Sequence, residues 1–108
     1  MRRGEIWWAE MPPPAGRRPV VLVSRDSAYA VRGSVTVVEV SRTVRGIPSE
    51  VPLGRRDGLP KKCVAKADNL VTVPKSWLRS RLAPLSKAKR AALDRALAFS
   101  LGLTADVS

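Results

Sequence analysis

Arg17-Arg18-Pro19-Val20-Val21-Leu22-Val23-Ser24 decides how this chain folds. Proline fixes its own φ and pushes the residue before it into an extended backbone, so Pro19 holds Arg18 in strand geometry. The run Val20–Val23 is short, rich in β-branched residues and flanked by turn formers, which predicts a buried strand. Arg18 therefore stands at the rim of a rigid sheet. A fixed guanidinium suits a two-point grip on phosphate better than a flexible ammonium does.

Working outward, Gly4–Ala9 reads as a first strand, and Met11–Gly16 is a proline-rich loop that cannot continue a sheet. Residues 25–34 are polar and small and end in Arg32-Gly33-Ser34, which reads as a turn. Val35-Thr36-Val37-Val38-Glu39-Val40 is the clearest β-branched run. Glu50-Val51-Pro52-Leu53 reads as an edge strand, because Pro52 denies the ladder a donor. Cys63–Lys66 and Leu70–Val73 read as two strand pieces separated by Ala67-Asp68-Asn69. Trp77-Leu78 opens a short helical turn, and Arg79–Leu85 holds a last strand. Ser86 is placed to cap a helix from Lys87 to about Leu101, stopped by Gly102. Leu93, Leu97 and Leu101 form its apolar stripe, with Ala96 and Ser100 beside them. The expected class is mostly β with a C-terminal helix, a small curled antiparallel sheet or barrel. Without repeats or a linker, residues 1–108 are expected to form one domain.

Composition bounds the partners. Lys and Arg total 20 against 9 Asp and Glu, a net charge of +11 on 108 residues. Such an excess favours a polyanion, either nucleic acid or an acidic protein. A hydrophobic content of 44% supports a folded core. The single cysteine allows no internal disulfide, and no stretch approaches the roughly 20 apolar residues of a membrane span. Together with the lack of a signal peptide, this leads us to expect a cytoplasmic protein without a membrane partner. There is no histidine, which excludes His-based acid–base pairs, Ser-His-Asp triads and His–Cys metal sites.

The order of motifs resembles a known family. Arg3-Gly4-Glu5-Ile6-Trp7 leads into a Gly/Pro-bearing loop and Arg17-Arg18-Pro19-Val20-Val21. Then come Val40-Ser41-Arg42-Thr43, Ser49-Glu50-Val51-Pro52-Leu53, Cys63–Asn69, Leu70–Lys75 and Arg81-Leu82-Ala83-Pro84-Leu85-Ser86. From residue 2 to about 103 the chain resembles the MazF/PemK toxins of bacterial type II toxin–antitoxin pairs. The resemblance implies an SH3-like barrel with a C-terminal helix, α+β overall, usually as a homodimer. It implies sequence-specific, metal-independent cleavage of single-stranded RNA (mRNA) to 2′,3′-cyclic phosphate and 5′-hydroxyl ends, without a cofactor. It also implies neutralisation by a small antitoxin, for which an acidic segment suits a basic groove.

That chemistry needs a base for the 2′-hydroxyl, charge for the phosphorane and a proton for the leaving 5′-oxygen; stabilising the charge normally contributes most to the rate. The family's key arginine aligns with Arg18, which is expected to hold the phosphate and stabilise the phosphorane, with protonation of the leaving oxygen a second role open to it. The family's catalytic threonine falls at Ser41, which keeps the hydroxyl and loses the methyl that restricts its rotamer. Thr43 is an alternative donor, and a plain turn-closing role is the alternative for Ser41. In the segment where some members carry an acid, Asp68 is a candidate base, although Asp-Asn is also an ordinary turn pair. Lys66 holds an arginine position there and Asn69 stands where glutamine is common, and both, with Thr43, are expected RNA contacts. Glu5 is a further candidate base or RNA contact, with a salt bridge to basic neighbours as the alternative.

Arg17, Arg42, Lys61 and Lys62, with Arg55 and Arg56, are expected RNA contacts, which raise affinity without choosing a base. Base choice is expected from the Met11–Gly16 loop and the loop after Ser41. One of Trp7 and Trp8 should face the core and the other the opposite surface, where it could stack a base. Cys63 reads as a small apolar strand residue. Two rival readings use the same fold: a module that binds RNA or protein without cutting, and a poison of DNA gyrase acting by protein contact.

Overall fold

In the computed structural model, which describes residues 1–103, the chain runs through β1 (Glu5–Glu10), β2 (Arg17–Leu22), α1 (Ala28–Val31), β3 (Ser34–Ser41), β4 (Glu50–Leu53), β5 (Cys63–Pro74), β6 (Leu78–Pro84) and α2 (Lys87–Ser100). The strands form one antiparallel sheet in the order β4-β5-β3-β2-β1-β6. It curls into a half-barrel, so the mostly β architecture with a terminal helix is as the sequence predicts. Gly58, with φ at +91°, lies where an added Cβ would sit 2.8 Å from the Ala83 Cβ. This close approach seats the β4–β5 connection on β6, across the opening that strand pairing leaves.

Both faces of the central strands are covered, which explains why β2 and β3 read as nearly unbroken apolar runs. On one face Ile6, Val21, Val38, Val40 and Ala65 pack with Leu93, Ala96 and Leu97 of α2. On the other, Val20, Leu22, Val35, Val37 and Val73 pack with Tyr29, and Trp7 and Trp77 lie against them. Ser86 caps α2 by accepting the Lys89 N–H at 3.1 Å. At the N-terminus, Gly4 donates to the Leu22 carbonyl and accepts from the Leu85 N–H, at 2.7 and 2.9 Å. Its φ of +90° and the Arg90 side chain lying over it leave no room for a Cβ.

Three expectations are corrected. Residues 28–31 form α1 in the polar segment read without an element; four residues are too few to show a helical period. The two pieces around Ala67-Asp68-Asn69 are one strand, β5, because β4 pairing and a bulge carry it through. The β3 register jumps there from Val38 opposite Leu70 to Glu39 opposite Lys66, so the turn-forming pair builds a bulge instead of a break. Finally, Leu101 caps α2 at the end the sequence predicts but is 54% exposed, outside the buried stripe of Leu93, Ala96 and Leu97. Among the described residues no helix is long and apolar enough to cross a membrane.

Candidate RNA-binding groove

Where the ends of β2 and β3 splay apart, a groove of about 410 Å³ opens. The last paired residues are Val20 and Glu39; carried two residues further, the same register puts Arg18 opposite Ser41. Pro19 offers no N–H to continue the ladder, so the strands part there and both side chains line the opening. Val40, Leu59 and Cys63 supply an apolar floor, with Pro19 and Pro60 at its sides. Burial first, and Asp57 second, push the Cys63 thiol up, which suits its inert packing role.

The charge of the groove has one sign. Arg17, Arg18, Arg42 and Lys61 line it, and among the described residues no Asp or Glu does. The Arg18 Nε is fully buried and has no hydrogen-bond partner. A buried donor without an acceptor is costly, and the rest of the half-buried Arg18 side chain lines the groove, where an anionic oxygen can pair with the guanidinium. Ser41 accepts the Thr43 N–H through its Oγ at 3.1 Å. The turn-closing role is therefore present, yet it uses an acceptor lone pair and leaves the O–H free to donate. Arg17 places its guanidinium 4.6 Å over the Trp8 ring. Of the two tryptophans, Trp8 faces the groove, whereas Trp7 packs against the core cluster of Val20, Leu22 and Leu78 and donates its indole N–H to Glu5 at 3.1 Å.

The remaining sequence-predicted residues lie outside this lining. Thr43, Lys62 and Asn69 are exposed elsewhere, and Lys66 sits half-buried with Glu39 and Glu50 as its neighbours on the flanking strands. Arg55 and Arg56 form an exposed 3₁₀ turn. Glu5 is buried and accepts from the Arg2 N–H at 2.8 Å, from Trp7 and from the Arg81 Nε at 2.7 Å. Burial raises its pKa, but these bonds and the Arg81 charge outweigh it and the carboxyl ends below its ordinary value. The salt-bridge alternative is what the structure shows. Asp68 accepts from Ser100 Oγ and Ser49 Oγ, both at 2.6 Å, which lower its pKa in that order of size. It lies four residues along β5 from Val64, the partner of Ser41, on the order of 10 Å away.

Sequence reasoning missed a second acid. Glu50 Oε1 accepts the N–H groups of Arg45 and Gly46 at 2.9 Å each, closing the loop after Ser41. Its burial raises the pKa, but backbone bonds from Arg45, Gly46 and Ile47, with the Lys66 charge, bring it below its ordinary value. The signal available in the sequence was a glycine, Gly46, four residues ahead of the carboxylate; the structure gives that glycine a φ of +70°. Among the described residues no group of three or more His, Cys, Asp or Glu side chains is placed to hold a metal ion.

Residues 2–101 match the family model described as PemK-like, MazF-like toxin of type II toxin-antitoxin system. The chain is 41% identical over 90 residues to the probable endoribonuclease MazF2 of Mycobacterium tuberculosis (strain CDC 1551 / Oshkosh), which covers 82% of this chain and 86% of that one. Among solved structures it resembles the Mycobacterium tuberculosis toxin MazF-mt6 with a TM-score of 0.85 and 29% identity, covering 93% of this chain and 98% of that one. An endoribonuclease in complex with its cognate antitoxin from a mycobacterial species superposes equally well, with a TM-score of 0.85, 30% identity and coverage of 96% and 97%.

Proposed function

The chain belongs to the PemK-like, MazF-like toxins of type II toxin–antitoxin systems, and from that membership we propose that it is a cytoplasmic single-domain endoribonuclease that cuts single-stranded mRNA at a defined sequence, independently of the ribosome. The observation that carries this reading is Arg18, half-buried and with no partner at its Nε, sharing with Ser41 a groove lined among the described residues by four cations and no carboxylate.

The groove suits attack of a ribose 2′-oxygen on its own phosphorus. Arg18 holds a non-bridging oxygen and neutralises the charge that grows on the phosphorane, the role that preorganised donors serve best. Ser41 donates a second hydrogen bond to the same group. Arg42 and Lys61 bind neighbouring phosphates, which adds affinity and salt sensitivity without base choice. Because no carboxylate among the described residues lines the groove, water takes the 2′-proton in this scheme and solvent returns a proton to the leaving 5′-oxygen, while Asp68 serves the fold. The products are a 2′,3′-cyclic phosphate and a 5′-hydroxyl, with no metal required.

The same cationic groove fits an acidic segment of an antitoxin, and a relative of known structure is bound to its cognate antitoxin. Phe99 and Leu101, 43% and 54% exposed at the end of α2, support a homodimer.

The test is incubation of the purified protein with a long RNA in EDTA, followed by mapping of both new ends. The expected result is cutting at one repeated motif with cyclic phosphate termini. Intact RNA after exposure to folded protein, with growth arrest traced instead to gyrase, would remove the proposal.

A further inference from the structure

We infer that Trp8 and Arg17 together form a stacking platform for one unpaired nucleobase, next to the phosphate held by Arg18. The inference rests on the endoribonuclease reading and adds a base subsite to it. Its starting point is an arrangement that fold stability does not require. Arg17 is exposed and has no carboxylate partner in the groove, yet its guanidinium lies 4.6 Å over the Trp8 ring. A cation above an aromatic face is attracted by the ring quadrupole, which fixes a long side chain that solvent would otherwise leave mobile. The guanidinium is planar, and the exposure of Arg17 leaves its far side open. Unstacked bases settle on such planes as readily as on aromatic rings.

Position supports the same reading. Glu10 pairs with Arg17, Ala9 with Arg18 and Trp8 with Pro19 along one β1–β2 ladder, so rigid sheet sets the spacing between platform and phosphate grip. Successive strand residues point to opposite faces, yet Arg17 and Arg18 both line the groove at the end of β2, which sets the platform beside the phosphate grip. The groove volume of about 410 Å³ is at the small end of ligand pockets and takes a nucleotide-sized group without enlargement. Arg17 thus differs in kind from Arg42 and Lys61: its plane matters as well as its charge.

The experiment uses the full chain and an oligonucleotide built on the motif that the cleavage assay maps, with a 2′-O-methyl group at the scissile ribose to prevent cutting. A second series carries one abasic residue at each position in turn. Binding is read by fluorescence anisotropy at several salt concentrations for wild type, Arg17→Lys, Arg17→Ala and Trp8→Leu, each checked for folding by thermal melting. Arg17→Lys, which keeps the charge and loses the plane, should weaken binding about fivefold or more, nearly as much as Arg17→Ala. Its salt slope should stay that of wild type. At one abasic position the difference between wild type and Arg17→Lys should vanish, because the base that used the platform is gone. Arg17→Lys binding like wild type, or a loss equal at every abasic position, would make Arg17 a phosphate contact and overturn the inference. If the RNA neither binds nor is cut, the endoribonuclease reading fails first and takes the platform with it. If Trp8→Leu melts early, the exposed Arg17 pair of variants decides alone.

Discussion

Ser100, on the last turn of α2, donates its hydroxyl to Asp68 at 2.6 Å and so pins the terminal helix to the bulge of β5. Asp68 accepts from Ser49 through its other oxygen, which joins the base of the β3–β4 loop to the same post. The acid that family resemblance offers as a base is thus occupied in holding three segments together.

Replacement of Asp68 by Asn should therefore lower Tm by a few degrees while cleavage per folded molecule stays within about threefold of wild type. Its carboxyl titrates below the ordinary 3.8, so its support is complete above that pH and is lost as pH falls through the lowered folded value. Melting curves from pH 7 to pH 3 should show a shallower acid limb for Asp68→Asn. Loss of cleavage in a variant that melts like wild type would restore Asp68 as the base.

Arg18→Ala should reduce kcat by about 10²–10³, the usual loss when one preorganised donor to a developing charge is removed. Arg18→Lys should fall nearly as far, since an ammonium cannot reproduce the fork at the Nε position. Single-turnover cleavage measures both, and RNA binding should persist with a salt slope lower by about one for Arg18→Ala.

At Ser41 the two substitutions should move in opposite directions. Ser41→Ala removes the donor and the acceptor for the Thr43 N–H, and cleavage should drop by at least tenfold. Ser41→Thr restores the methyl that narrows the rotamers, and its rate should equal or exceed that of wild type.

Glu50→Gln keeps the shape of the side chain and removes the charge that holds the Arg45 and Gly46 N–H groups. Sequencing of the cut ends should show a broader set of sites and a raised KM, with little change in Tm. The carboxyl lies below its ordinary 4.5, so this closure holds at neutral pH and loosens only as pH falls below that value.

Stability should separate two leucines that the helical period treats alike. Leu93 is 1% exposed and its change to Ala should cost about 2–5 kcal/mol; Leu101 is more than half exposed, and the same change there should cost under 0.5 kcal/mol in the monomer. Urea melts of both variants measure the difference.

The strands were legible where chemistry and period agree. β-branched runs, the proline at the edge and the serine cap each act through their own backbone, so β1 to β4 and α2 could be read without a neighbour. The continuity of β5 was not legible, because Asp68 and Asn69 make a turn or a bulge depending on the strands beside them. Family resemblance brought Arg18 and Ser41 to one place. The partners of Asp68, Glu5 and Glu50 were hidden, since a carboxylate announces only that it needs donors and the fold alone supplies them. Which tryptophan faces the groove was equally closed, as alternation separates the two without saying which face is covered.

The closure of the β3–β4 loop uses donors that almost every residue carries. Glu50 grips main-chain N–H groups, Gly46 alone must keep its backbone turn, and the side chains from Arg42 to Pro48 are exposed. Inherited changes in that segment therefore meet little resistance from the barrel. That segment can therefore change its side chains, and with them the rim of the groove, while the core strands and Arg18 stay as they are.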